Sequence, residues 1–132
     1  ESEHNKGSAI GLEYQLLDDD VHPDSKAGKN GNRTLASLYD LIPKENIPAA
    51  LKPVGEWNSG LIRVYPDNKV EHWLNGYCLV SYTRGSDDYW KLVKDSKYKG
   101  YENFGMAEQG SILLQDHGNE VKFRSLKIRK LH

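Results

Sequence analysis

The chain has 132 residues, of which 18 are basic and 19 acidic, and its formal net charge is -1. That length is enough for one domain with its own hydrophobic core. The balanced charge excludes a general nucleic-acid binder, which needs an excess of Lys and Arg, and a polybasic membrane anchor. Because the apolar runs are short, we expect no membrane insertion. The one cysteine, Cys78, excludes an internal disulfide and is expected to be a small buried strand residue.

A strand is predicted near the start of the chain. Residues 8–17 alternate between apolar and polar side chains, as a strand with one buried face does. Tyr14 and Leu16 share the apolar face, which places Glu13 and Gln15 together on the opposite face. A Glu and a Gln side by side on one strand face are candidates for a binding site, with a solvated surface as the alternative.

Loops separate this strand from the next one. The acidic run at 18–20 begins a loop that continues to residue 32. Residues 34–42 fit the apolar spacing of either a strand or a helix, and Pro43 ends the element in both cases. The prolines within 44–53 predict a connecting loop.

The middle of the chain predicts a β-hairpin. Residues 61–65 are typical of a strand, and residues 70–75 alternate strictly. Asn75-Gly76 supplies the residues that a two-residue hairpin turn requires, and residues 77–82 form the returning strand.

One helix and two further strands are predicted after the hairpin. Ser86 is a helix N-cap, and the apolar side chains within 89–93 form one face of a short helix. Residues 111–115 and 120–129 are predicted strands. In the second of these, a change of phase near Arg124-Ser125 predicts a bulge.

Many short strands and one short helix indicate an all-β fold, a sandwich or jelly roll, formed as a single domain over residues 1–132. Five blocks of this sequence, in chain order, match a known signature: Gly11–Asp19, Asn32–Thr34 with Ser37–Ile42, Gly55–Asn58, Val70–Gly76, and Ile112–Gly118 with Val121–Arg124. Together they resemble the 3-keto-disaccharide hydrolase domain family, formerly a domain of unknown function. The resemblance implies a concanavalin-like jelly roll of two β-sheets.

The chain departs from that family in two places. Members open with strands that carry a Leu-Phe-Asn-Gly type segment and a tryptophan, and they have Phe-Arg-Asn-Ile where this chain has Phe123-Arg124-Ser125-Leu126. Because the opening strands are missing, we expect the central and C-terminal part of a longer domain. A further segment or a second chain would complete the sandwich, since an open one exposes strand edges and core side chains.

Glu13 and His117 are the candidate catalytic bases. Glu13 lies in the first block of the resemblance. His117 stands where a predicted strand gives way to Gly118, and an imidazole transfers protons near neutral pH. The alternative for His117 is a histidine that stabilises the turn.

Other polar side chains are candidates for binding the substrate. In the alternation of 70–75, His72 shares the core face with Val70 and Leu74, so we expect a buried histidine whose hydrogen bonds are satisfied. Trp73, on the opposite face, suits stacking on a sugar ring, with ordinary packing as the alternative. The candidate substrate-binding residues are Gln15, Glu71, Trp73, Asn75, Gln115 and Arg124, and Arg124 has pairing with Glu13 as its alternative role.

The acidic loop is a weaker candidate for a metal site. Asp19 and His22 are the candidate ligands of a divalent cation. The loop lacks the spacing of an EF-hand, and a solvated charged turn is the favoured interpretation. A divalent metal ion stays open as a cofactor.

The resemblance implies cleavage of the glycosidic bond of a sugar already oxidised at C3, in a small-molecule or oligosaccharide substrate. The ketone acidifies the C2 proton, so a base removes it, the C1 group leaves by elimination, and water adds later. A non-catalytic carbohydrate-binding module is the alternative, since fold does not fix function, and a scaffold piece is a third. By the same resemblance we expect a bacterial periplasmic, cell-surface or secreted protein.

Overall fold

In a computed structural model, the structure describes residues 11–130. They fall into two compact units, Gly11–Ala107 and residues 108–130. Antiparallel strands with a few short helices are the regular elements, as an all-β fold requires. One sheet is formed within residues 11–130, so the second sheet of a jelly roll stays a prediction. No helix in this described range is long and apolar enough to cross a membrane.

A three-stranded antiparallel sheet is the framework of the first unit. It consists of β1 (Gly60–Val64), β2 (Lys69–Leu74) and β3 (Tyr77–Thr83), in the order β1-β2-β3. Asn75 and Gly76 join β2 to β3 with φ angles of 50° and 89°, as a turn with two left-handed residues requires. The predicted hairpin is confirmed.

The helices of the first unit are short. They are α1 (Pro23–Ala27), a 3-10 turn (Pro48–Ala50) and α2 (Asp87–Lys94). α2 begins where predicted, because the Ser86 hydroxyl accepts a hydrogen bond from the Tyr89 amide at 3.2 Å. Tyr89 and Val93 are buried on its apolar face, as expected. α1 has no counterpart among the predicted elements, since a helix of 5 residues is too short to show a periodicity.

Residues 34–42 form neither of the two elements that their spacing allows. Ala36 and Asp40 have φ angles of 65° and 62°, and left-handed residues interrupt a helix and a strand alike. The segment instead folds as successive turns, with Leu38 fully buried among them. Tertiary packing of Leu38, rather than local spacing, decides this backbone.

The strand predicted at 8–17 is wrong over its described part, which begins at residue 11. Tyr14 forms a single bridge with Leu38. Within the described chain this bridge does not extend into a ladder of hydrogen bonds. The predicted faces also differ, because Gln15 is buried and Leu16 is exposed. Residues 8–10 lie outside the described residues.

The strands predicted at 111–115 and 120–129 are wrong in the described structure. A strand needs a ladder of hydrogen bonds to a neighbour, and residues 108–130 form none that qualifies as a strand. Without a ladder the predicted bulge is not confirmed either, although Ser125 does have a left-handed φ of 54°. Except for the partly buried Phe123, the large apolar side chains of this segment are exposed, Ile128 by 84%.

The core of the first unit consists of two clusters of apolar side chains, the larger of which joins β2, β3 and α2. Val70, His72 and Leu74 are buried on the core face of β2 as predicted, but Glu71 on the opposite face is buried as well, so burial along β2 does not alternate strictly. The His72 ring Nδ1 lies 3.1 Å from the Ala36 carbonyl oxygen, so this histidine is buried with a hydrogen-bond partner. That prediction is confirmed.

The hairpin turn provides a stability test. A Cβ added at Gly76 meets nothing within 4 Å, so Gly76→Ala should cost only the strain of an L residue at a φ of 89°. We expect a loss of about 1–2 kcal/mol in urea unfolding. Gly100→Ala is the matched control, because its Cβ also meets nothing within 4 Å and its φ is not left-handed. Equal stability of the two variants would contradict the turn assignment.

Protonation of His72 should make stability pH-dependent. Burial lowers the pKa of His72 from its ordinary value of 6.5. The unfolded chain therefore binds this proton more tightly, so the free energy of unfolding should fall as the pH is lowered through about 6.5. We expect His72→Gln to flatten the slope of stability between about pH 7 and pH 5.5 in urea titrations. A variant with the parent's slope would show that another group governs this range.

Candidate functional site

Charged side chains surround Tyr39 in the first unit. They come from the start of the unit, from the turns before β1 and from the loop after α2. We call this group the Tyr39 cluster; its members are Glu13, Asp24, Arg33, Tyr39, Asp40, Lys97 and Tyr98.

Arg33 is held by two carboxylates. Its Nη1 lies 3.0 Å from Asp24 Oδ1, and its Nε lies 2.7 Å from Asp40 Oδ1. Burial lowers the pKa of Arg33, but hydrogen bonds to Asp40 and Asp24 outweigh this effect and raise it overall. The guanidinium therefore stays charged and ties α1 to the turn that contains Asp40.

Tyr39 offers its ring to two cations. The Lys97 Nζ lies 4.1 Å from the ring centroid and the Arg33 Cζ 5.3 Å from it, both within the range of cation–π attraction. Burial raises the pKa of Tyr39, and a hydrogen bond to the Asp24 carboxylate raises it further. Tyr39 is therefore a neutral phenol at physiological pH.

Lys97 is positioned by its backbone as well as by its side chain. Its amide donates to Asp40 Oδ2 at 2.8 Å. Its Nζ lies 5.1 Å from the ring centroid of Tyr98, which itself stacks on Phe104 at 4.0 Å. Two aromatic rings thus hold an ammonium on a residue that is exposed to solvent.

Glu13 belongs to the same cluster. Its carbonyl accepts a hydrogen bond from the Tyr39 amide at 3.0 Å. Burial is the main cause that raises the pKa of Tyr98, and the negative charge of Glu13 comes next. The same charge contributes to the raised pKa of Tyr39. The structure therefore places this candidate base next to Tyr39.

Gln15 lies in a different environment from Glu13. The backbone amide of Gln15 donates to the Ser37 carbonyl at 3.2 Å, and its backbone carbonyl accepts from the Ala36 amide at 2.8 Å. The side-chain Oε1 accepts from the Leu16 amide at 2.9 Å. These bonds tie the buried Gln15 into the turns around residue 36, so the structure does not bring its side chain into one exposed row with Glu13.

Glu71 and Trp73 lie together on the outer face of the sheet. The Glu71 carboxylate accepts hydrogen bonds from Lys69 Nζ at 2.7 Å, Trp73 Nε1 at 2.9 Å and the Tyr65 hydroxyl at 3.1 Å. The bond from Lys69, followed by that from Trp73, lowers the pKa of Glu71 against the opposing effect of burial. Arg63 covers the Trp73 ring, with its Cζ 4.5 Å from the ring centroid. These groups satisfy one another.

The side chain of Asn75 joins the hairpin to the loop before β1 by hydrogen bonds. Its Oδ1 accepts from the Ser59 amide at 2.9 Å. Its Nδ2 donates to the Ala50 carbonyl at 2.8 Å and to Asn58 Oδ1 at 2.7 Å. The side-chain amide therefore makes bonds within the chain at both of its ends.

The remaining candidates lie in residues 108–130. Gln115 contributes to the wall of a groove of about 400 Å³ whose lining residues are Leu114, Gln115, Asp116, Asn119, Glu120, Val121 and Phe123. His117 stands in a tight turn, in which Asp116 Oδ1 accepts from the Gly118 amide at 2.9 Å. Arg124 directly precedes the left-handed Ser125. The structure places these three side chains in the second unit.

The candidate metal ligands make other bonds. Asp19 Oδ1 accepts from the Leu35 amide at 2.6 Å, and its other carboxylate oxygen pairs with Lys44. The His22 Nδ1 accepts from the Asp24 amide at 3.2 Å as the N-cap of α1. Among residues 11–130, no group of three or more His, Cys, Asp or Glu side chains is arranged to hold a metal ion. Asp19 and His22 therefore do not fit a metal site.

Sequence patterns did not single out the cationic residues of the Tyr39 cluster. Arg33, Tyr39 and Asp40 lie in blocks that carry the family resemblance, which was a usable signal. Lys97 follows α2 in a loop without periodicity, so nothing local marks it. Only the folded chain brings Lys97 beside Tyr39.

Comparisons with known proteins agree on one family. A family model described as the 3-keto-alpha-glucoside-1,2-lyase-like domain matches residues 2–129. A 3-keto-disaccharide hydrolase from Bacteroides thetaiotaomicron is 39% identical over 129 residues, which cover 90% of this chain and 43% of the relative.

A solved structure supports the same relationship. It is a crystal structure described as a "putative glycosyl hydrolase" from Parabacteroides distasonis ATCC 8503. Its sequence is 35% identical, the TM-score is 0.60, and the match covers 74% of this chain and 46% of that one. The chain thus spans less than half the length of either relative, and it belongs to the 3-keto-alpha-glucoside-1,2-lyase-like domain family.

Proposed function

We propose that the chain is part of an enzyme that cleaves the glycosidic bond of sugars oxidised at C3. Membership of the family carries this proposal, together with the relative that is named a 3-keto-disaccharide hydrolase. The substrate is a small molecule or an oligosaccharide. A bacterial periplasmic, cell-surface or secreted location is part of the same proposal.

The proposed reaction is an elimination that starts at C2. A ketone at C3 acidifies the C2 proton, so a general base removes it and an enolate forms. The group at C1 then leaves, and water adds later. This route requires one base and one group that stabilises the enolate oxygen, rather than the paired carboxylates of an ordinary glycosidase.

Of the two candidate bases, Glu13 is the one that we favour. Burial is the main cause that raises the pKa of Tyr39 and of Tyr98, and the negative charge of Glu13 contributes in both cases. The same cluster carries the Lys97 ammonium on the Tyr39 ring. A base beside neutral hydrogen-bonding groups and a cation matches the needs of proton abstraction next to a ketone. His117 remains the alternative base. Gln15 and Arg124 remain candidates for the polarising group, and Gln15 is disfavoured by its burial.

A carbohydrate-binding module is the second candidate function. Trp57 favours it, because its side chain is 43% exposed, as a sugar-stacking ring must be. Trp73 supports it less, since Arg63 covers its ring. Saturable binding of intact glycans without turnover of a keto sugar would favour the module.

The first test is turnover of a 3-keto-glucoside that carries a chromogenic leaving group. We expect the purified protein to release the chromophore from the keto sugar and to leave the ordinary glucoside intact, because only the ketone acidifies C2. Release is followed by absorbance, with and without EDTA. Loss of activity with EDTA would show a metal requirement. If a folded sample released no chromophore, the enzymatic proposal would be overturned.

The second test identifies the base. Glu13→Gln keeps the shape of the side chain but removes its basicity, so we expect kcat/KM to fall by about 10²–10⁴-fold. Glu102→Gln is the matched control, since Glu102 is an exposed glutamate after α2. If Glu13→Gln retains activity while His117→Asn loses it, His117 is the base.

A further inference from the structure

We propose that Lys97 is the catalytic cation that stabilises the enolate oxygen at C3 of the substrate. This inference rests on the proposed elimination reaction and adds the identity of the group that polarises the ketone. Its basis is position: the Lys97 ammonium lies on the rings of Tyr39 and Tyr98, and the Glu13 carbonyl accepts a hydrogen bond from the Tyr39 amide at 3.0 Å. The residue of the candidate base and the cation are therefore both neighbours of Tyr39.

The Lys97 ammonium is held in place before any substrate arrives. Asp40 Oδ2 fixes its backbone at 2.8 Å, and two tyrosine rings hold its Nζ at 4.1 and 5.1 Å from their centroids. A flexible lysine side chain ordinarily loses much rotamer freedom when it engages a ligand. In this protein, part of the rotamer freedom of Lys97 is already lost in the folded state, before a substrate binds. Transition-state stabilisation requires such preorganisation.

Arg33 is the other cation of the cluster, and its bonds assign it a different task. Its Nε and Nη1 are engaged by Asp40 and Asp24. Since two carboxylates already neutralise the guanidinium, it offers little net charge to an enolate. Arg33 acts through Asp40, which also holds Lys97, and is therefore a positioning residue.

The tyrosines do not compete with the substrate for the ammonium. Burial is the main cause that raises the pKa of Tyr39 and of Tyr98 above the ordinary value. Both therefore stay neutral near pH 7. The enolate oxygen of the substrate is then the negative charge that the Lys97 ammonium stabilises. The attraction is greatest when the enolate forms, which favours the transition state over the bound ketone.

The electrons and protons balance without a redox partner. Glu13 takes the C2 proton, the C2–H electron pair forms the C2=C3 bond, and the carbonyl π pair moves to the C3 oxygen beside Lys97. When the ketone re-forms, a C1=C2 bond appears and the C1 oxygen substituent leaves with the proton from Glu13. Water then adds its oxygen to C1 and its proton to C2, which completes a hydrolysis.

The decisive experiment separates enolate formation from elimination. The probe is 3-keto-1,5-anhydroglucitol, which has no leaving group at C1, and NMR in D₂O follows the exchange of its C2 proton. We expect Lys97→Met to slow this exchange and to lower kcat for the chromogenic keto glucoside, each by about 10²-fold or more, with a smaller change in KM. Lys97→Arg should have both rates roughly tenfold higher than Lys97→Met, because it restores the charge without the geometry of the lysine ammonium.

Lys99→Met is the matched control, since Lys99 is an exposed lysine two residues further along. Its exchange rate and kcat should equal those of the parent, and circular dichroism and urea unfolding should show all variants folded. Unchanged exchange in Lys97→Met, or no recovery in Lys97→Arg, would overturn the role of Lys97. An inactive parent protein would instead overturn the elimination reaction itself, so the two failures are distinguishable.

Discussion

The arrangement of the first unit depends on the hydrogen bonds that the carboxylate of Asp40 accepts. One oxygen accepts from Arg33 Nε at 2.7 Å, and the other accepts from the Lys97 amide at 2.8 Å, from a segment 57 residues away. Asp40 itself is strained, with a φ of 62°. Strain of this kind persists only where surrounding bonds compensate for it, and Asp40 makes them through its side chain and through its amide, which donates to the Asn32 carbonyl at 2.8 Å. Asp40 thereby ties the backbone of Lys97 to the turn at residue 40.

The two acidic clusters of the first unit differ in what their charges face. Around Glu71, three donors of the protein bond to one carboxylate, and Arg63 lies on the ring of Trp73. Such a cluster stabilises the outer face of the hairpin and leaves little capacity for a ligand. Around Tyr39, carboxylates bind Arg33, whereas the Lys97 ammonium rests on aromatic faces. An ammonium held by rings keeps its charge available, and that difference separates a structural cluster from a candidate catalytic one.

The elements that could be predicted are those whose information is local. Asn75-Gly76 carries its turn chemistry in two residues, and Ser86 caps α2 from the adjacent position, so hairpin and helix are both found where expected. The alternation of β2 in sequence likewise placed His72 in the core. Residues 34–42 were ambiguous because Leu38 is ordered by partners distant in sequence, and local spacing does not report them.

The candidate site shows the same division. Glu13 was marked by its place in a family block, and the structure adds the hydrogen bond between its carbonyl and the Tyr39 amide. Lys97 was not marked, because its role depends on a contact with Tyr39 that spans most of the unit. Gln15 was grouped with Glu13 by period-two alternation, which fails when the segment makes one bridge instead of a ladder. Site residues on loops are therefore the ones that pattern analysis of a single sequence loses.

The uncovered edge of the sheet bears on how the whole enzyme is assembled. Ile62 pairs with His72 and Val64 with Val70, so the four side chains share one face. The β2 pair is buried, whereas Ile62 is 51% and Val64 49% exposed. A cavity of about 120 Å³ adjoins this edge, and Arg84 in its wall has a buried Nε without a hydrogen-bond partner among the described residues.

An apolar strand face that remains half exposed forgoes much of the hydrophobic stabilisation that its sequence provides. Its alternation is that of a strand packed beneath more protein than residues 11–130 supply. This exposure agrees with the expectation that a further segment or a second chain covers the face. Because such a partner would cover Ile62 and Val64 on the core face, it would leave Lys97 to act from a loop whose position already depends on Asp40. Completion of the fold and placement of the catalytic cation are then separate physical requirements.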